Sequence, residues 1–191
     1  MINTGQKITS AGGSTNIQSG NDTTITTNIF YEKLEVMKKL VVKYHEEKKA
    51  GTDSPFLGYI KKLEHYSTAV DAMVSDLSSK LTDGGFENDI DWALQFKENY
   101  AKLLEENKFS LASQHIHVFL LAKVIVLFNQ FIVDGIRSKM PKQETKQLLV
   151  KKVIEPIEEL VGGDDNVLEL YSDDINGMIY FLTGNCHLKW V

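Results

Sequence analysis

The chain has 191 residues, 42% of them hydrophobic and 25% charged, with a net charge of −5 at neutral pH. That is enough apolar material for one buried core, and it excludes wholesale disorder. Of the 21 basic residues only Arg137 is an arginine, so the bidentate fork favoured by base and phosphate readers is nearly missing and nucleic acid is disfavoured as the main partner.

Residues 1–28 form a leader of low complexity, rich in Gly, Asn and Thr and almost without charge. Ile8, Ile17 and Ile25 recur through it, and Ile25, Thr27 and Ile29 alternate as on one strand face. Gly12-Gly13 and Gly20-Asn21 favour turns. A phosphate-binding loop needs G-x-x-x-x-G-K-[ST], and Lys7 does not stand in that frame. So small a β-prone segment cannot bury both of its faces alone, which leaves it either mobile or paired between protomers.

The pattern turns helical after residue 28, and residues 29–191 are expected to form a bundle of about six helices. Tyr31, Leu34, Met37, Val41 and Tyr44 follow three- and four-residue spacings, with Glu35 and Lys39 as a wet-side pair. Ser54-Pro55 is an N-cap and first-turn proline for a long second helix with Phe56, Tyr59, Ile60, Leu63, Val70, Met73, Val74 and Leu77 on one stripe. Asp83-Gly84-Gly85 breaks it. A third helix carries Ile90, Ala93, Phe96, Tyr100, Leu103 and Leu104.

The fourth, from about Ser110 to Lys139, is apolar nearly all round and is expected at the bundle centre. Its window His117 to Val133 is the one membrane candidate, but Lys123 sits in its middle and the uninterrupted apolar stretches are short. A buried core helix is the better reading. The fifth helix, after Pro141, has Leu149, Val153, Ile157 and Leu160 on one face, with Pro156 expected to kink or end it. A last short helix, capped by Asp173-Asp174 and ended by Gly184, holds Ile175, Met178, Ile179 and Leu182.

No catalytic constellation stands out. His115 and His117 point about 200° apart on a helix and cannot grip one metal. Cys186-His187 is a candidate nucleophile and base, but neighbours in sequence seldom bring their side chains together and no third member is evident. The single cysteine excludes an internal disulfide and suits a reducing cytoplasm, the expected compartment in the absence of a signal-peptide pattern. Arg137 is followed by "SKMPKQETK", with no histidine within a few residues, which disfavours a helical RNase. No cofactor or metal ligand set is expected.

One charged tract has more substance. No Lys or Arg lies between Lys152 and Lys189, a span that holds Glu155, Glu158, Glu159, Asp164, Asp165, Glu169, Asp173 and Asp174. Its spacing fits no metal loop; the tract is expected either to cap helices and form a solvated face or, through Asp164, Asp165, Asp173, Asp174 and the closing Trp190, to dock a basic partner.

The stretch "DDINGMIYFLTGNCHLKW" is similar to the C-terminal domains of bacterial ABC-three-component systems, through Ile175, Gly177, Met178, Tyr180, Leu182, Gly184, Asn185, Cys186 and Trp190. The resemblance implies a conflict or antiviral defence module made of an ATPase, a middle component and an effector coupled to them by such a domain. The leader's "NIQSGN" resembles amyloid-signalling motifs of the Ile-Gln-x-Gly kind, which implies self-association through Ile8, Asn16, Ile17, Gln18, Gly20, Asn21 and Ile25. Together these imply a non-enzymatic component of a homo-oligomeric or mixed complex. The alternatives are a prophage or mobile-element binding protein without a defence role, and an enzyme built on Cys186 and His187.

Overall fold

A computed structural model of the protein describes residues 23–51, 58–70, 76–162 and 166–190, with side chains from Leu34 onward. Residues 1–36 and 37–191 are two units, and the first contributes only helical backbone and its last few side chains. Among the described residues the regular structure is all helical. Helix α1, Thr23–Ala50, starts well before the Leu34–Tyr44 stripe. Ile25, Thr27 and Ile29 therefore lie in its first turns, a correction to their expected strand face: helical bonding propagates outward from a strong stripe, and β-propensity is a weak prior against it. Ile8, Asn16, Ile17, Gln18, Gly20 and Asn21 lie outside the described residues.

The expected long second helix is two short ones, α2 (Lys61–Ser67) and α3 (Leu77–Asp83). The reason is local. Ser67 and Thr68 turn their hydroxyls back onto the carbonyls of Leu63 and Glu64, and Thr68 leaves in an extended conformation. Val70, expected on the apolar stripe, is exposed, and its N–H donates to the Asn185 carbonyl. Ser54 and Pro55 lie outside the described residues. Asp76 caps α3 by accepting from the Ser79 N–H at 2.8 Å.

A 3-10 turn, Glu87–Asp89, leads into α4 (Ile90–Glu106), which buries Ala93, Tyr100 and Leu104. Helix α5, Leu111–Phe131, is the central element, with Ile116, Leu120, Leu121, Val124 and Phe128 fully enclosed. It is the one described helix long and apolar enough to cross a membrane, and here it packs against α2, α6, α7, α8 and α9. Its first turn is well satisfied: Ser110 accepts from Ser113 N–H, while the Glu47 carboxylate accepts from the N–H groups of Leu111 and Ala112 at 3.0 and 2.8 Å. Buried Gln114 joins three segments, accepting from Ile60 N–H and donating to the Gly58 and Lys108 carbonyls.

After a break at Ile132 come α6 (Val133–Arg137) and α7 (Lys142–Leu149). Pro156 neither stops nor sharply ends the next segment. A π turn, Val150–Ile154, precedes α8 (Glu155–Val161), and Glu155 N–H reaches back five residues to the Val150 carbonyl. The wider turn removes the bond that proline cannot donate, so the Leu149, Val153, Ile157 and Leu160 face stays buried across it. Helix α9, Ser172–Gly184, then crosses α4 in the most extensive helix–helix contact of the domain.

Candidate functional site

The C-terminal end of α9 is where the chain's chemistry-bearing residues gather. Gly177 lets α9 approach α4 closely: a β-carbon there would lie 2.7 Å from Tyr100 Cβ and 2.8 Å from the Phe96 carbonyl oxygen. Gly184 does not end the helix by a left-handed turn, as a glycine at that position suggests. The left-handed residue is Cys186, at φ 67°. Cys186 N–H donates to the Thr183 carbonyl and His187 N–H to that of Leu182, which is a Schellman closure with cysteine in the place glycine usually takes. Lys80 of α3 completes the cap. Its buried ammonium donates to the Thr183 carbonyl at 2.6 Å and contacts Cys186 Sγ at 3.1 Å, placing a cation at the negative end of the α9 dipole. Nothing in the sequence around Lys80 distinguishes it from a surface lysine, because the carbonyl it serves lies 103 residues away.

Cys186 and His187 diverge. The cysteine turns to Lys80, whereas the His187 ring packs edge-on against His65 at 5.0 Å and Tyr66 at 5.5 Å, with Nε2 on the His65 carbonyl. Partial burial and the neighbouring His65 lower the His187 pKa. Asn185 adds a bond from its amide to the Tyr66 carbonyl, so this turn is the lock that holds α2 onto α9. Trp190, assigned to the docking face, is instead 2% exposed. Its Nε1–H donates to Thr183 Oγ1 at 2.9 Å, and its ring meets Phe86 at 5.0 Å, Phe128 at 5.3 Å and Tyr180 at 6.3 Å. An amphipathic ring that finds both apolar neighbours and a hydrogen-bond acceptor inside goes inside. It closes the core.

The acidic residues divide. Asp164 and Asp165 lie outside the described residues. Asp174 reaches back to accept from the Tyr171 N–H at 3.0 Å and so caps the α9 N-terminus, with burial raising its pKa. Ser172 Oγ donates to the Glu158 carboxylate and ties α8 to α9. Asp173, Glu155, Glu159 and Glu169 are exposed around these two helices. Among the described residues no group of three or more His, Cys, Asp and Glu side chains could hold a metal.

Inside the bundle, His115 is exposed while His117 is fully buried, one helix bearing them on different sides. His117 Nδ1 shares a 3.0 Å hydrogen bond with Tyr100 OH, and its Nε2 has no partner among the described residues. Burial lowers the His117 pKa from 6.5 to about 4. The unfolded chain therefore binds the extra proton between these two values, and stability falls as pH drops from 6.5 towards 4. The shift corresponds to about 3 kcal/mol at the acid end. Urea unfolding of the wild type and His117→Gln at pH 7 and pH 4.5 checks this: the variant should lose distinctly less stability than the wild type on acidification. Equal losses would show that His117 does not carry the effect.

The arrangement defines an all-helical domain sealed by its own C-terminal turn and tryptophan, with a carboxylate-rich outer surface. The chain belongs to the family described as C-terminal domain 9 of the ABC-three component (ABC-3C) systems, whose model matches residues 76–190, from the α3 cap to Trp190. No curated protein and no solved structure matches the chain. The chain thus carries a domain of a multi-component defence or conflict system, and the matched region reaches far beyond the Asp173–Trp190 stretch in which the resemblance is first legible.

Proposed function

We propose that the chain is a non-enzymatic, cytoplasmic component of such a system, acting through contacts with other protein subunits, an ABC-type ATPase and a middle component among them. The observation that carries this reading is the exposed carboxylate set around α8 and α9, Glu155, Glu159, Glu169 and Asp173, inside the family-matched region and without a Lys or Arg between residues 152 and 189. Such a face favours a basic partner by steering and by selecting against like charge. The non-enzymatic reading is supported by Cys186 and His187 turning to different neighbours, the cysteine to Lys80 and the imidazole to His65 and Tyr66. The N-terminal leader, through Ile8, Asn16, Ile17, Gln18, Gly20, Asn21 and Ile25, would add self-association.

Reversing two exposed charges, E169K/D173K, should lower recovery of the co-expressed ATPase and middle component at least tenfold while the melting temperature stays unchanged. Undiminished recovery would remove the acidic face from the account. Removal of residues 1–28 should reduce the mass seen by light scattering without unfolding the bundle, and an unchanged mass would remove the leader's role.

A further inference from the structure

The turn after α3 and the turn after α6 enclose a cleft of about 660 Å³, a size ordinary for a binding site. Its floor is apolar, made by Phe86, Ile136 and Met140, with Trp190 behind them. Its rim is cationic: Arg137, Lys139 and Lys142 line it against the single carboxylate of Asp83. Lys142 is already paired with Glu87 at 2.8 Å. Among the described residues, neither Arg137 nor Lys139 pairs with a carboxylate, and both are exposed. The only arginine of the chain thus stands at a concave site with no carboxylate partner among the described residues, and its planar fork suits a carboxylate.

The complementary charge is on the same chain. Asn166 staples a tight turn, its amide donating to the Leu170 carbonyl at 2.8 Å and its side-chain oxygen accepting from Leu170 N–H at 3.0 Å. Buried Leu168 and Leu170 anchor this turn, and between them Glu169, left-handed at φ 51°, is held out to solvent. Asp173, also exposed, follows within the first turn of α9. An acidic turn already held by its own hydrogen bonds has less loop freedom to lose on docking than an unstructured acidic tail.

We infer that the Arg137–Lys139 cleft of one copy receives the Glu169–Asp173 turn of a second copy. The inference deepens the proposed use of the acidic face for docking, and rests on it, by naming this chain as one of its partners. The two patches differ, so the contact is heterologous and builds a ring or an open filament rather than an isologous dimer. Being electrostatic and solvent-exposed, it weakens as salt rises.

Sedimentation velocity on the full-length protein, at low and at raised ionic strength, tests it. R137E/K139E and E169K/D173K are each expected to weaken association at least tenfold alone. An equimolar mixture should restore it, since each variant then offers the charge the other lacks. Association by either variant equal to that of the wild type, or a mixture no better than its components, overturns the inference. Should E169K/D173K lose the ATPase and middle component while its self-association is unaffected, the docking face stands and the homotypic contact falls. Lost self-association with undiminished partner recovery would retain the homotypic contact and refute the heterotypic one.

Discussion

Gly177→Ala is expected to destabilise the domain by about 3 kcal/mol, the upper end of what one added methyl group does in a packed interior. The methyl would meet Tyr100 Cβ at 2.7 Å and the Phe96 carbonyl at 2.8 Å, and neither atom can swing away as the tip of a long side chain can. The two helices must separate, and Tyr100 moves with α4, disturbing its bond to His117. Gly184→Ala is the internal control, because its closest neighbours are the end atoms of the flexible Lys97 side chain. Alanine's better helix propensity, worth up to about 1 kcal/mol, should leave that variant neutral or slightly stabilised. Thermal unfolding separates the two, with a drop of roughly 6–12 °C for Gly177→Ala and little change for Gly184→Ala. Equal shifts would show that close approach at Gly177 is not what holds α4 against α9.

Trp190→Ala should cost about 3–5 kcal/mol, as expected for removal of a large buried aromatic whose cavity the surroundings cannot fill. Phe86, Phe128 and Tyr180 would each lose the ring they pack on, and Thr183 would lose a donor. Trp190→Phe should be milder by more than half, since Thr183 Oγ1 still donates to the Ile179 carbonyl at 2.8 Å and most of the volume is kept. Urea titration is the readout, with a lower midpoint at an unchanged slope. A tryptophan serving chiefly as a partner contact would leave the midpoint of the isolated protein almost where it was, and that outcome would contradict its place in the core.

These two residues also show what was legible beforehand. Gly177 and Trp190 both stand in the stretch that resembles the ABC-three-component domains, but only the fold separates a close helix approach from a turn and a core ring from a docking ring. The apolar faces of α9 and of α8 with the π turn before it are readable because their burial repeats with the helical period: Val153, Ile157 and Leu160, then Ile175, Met178, Ile179 and Leu182, are all enclosed. Interruptions were harder. The split between α2 and α3 depends on Ser67 and Thr68 bonding back to the helix and on a distant acceptor at Asn185, and hydrophobic spacing contains neither. Pro156 was visible as a disturbance, yet the π turn that absorbs it is set by the buried face on either side.

The interaction surfaces follow the same division. The acidic tract is a property of composition and could be read directly, although Asp174 proves to be a helix cap and Glu158 a tie between helices. The basic cleft could not, since Arg137, Lys139 and Lys142 form a rim only once the turn from Asp83 to Phe86 faces them. Lys80 is the extreme case. A lysine in a short polar helix becomes a buried cap only because the C-terminal carbonyls of α9 arrive beside it.

The central claim, that the chain works by holding other subunits of its system, is tested most directly by affinity purification of the full-length protein from its native host, followed by mass spectrometry. The account predicts that an ABC-type ATPase and a middle component co-elute in defined ratio and are depleted when E169K/D173K replaces the wild type. Recovery of the protein alone at native abundance, under salt conditions that preserve electrostatic contacts, would contradict it.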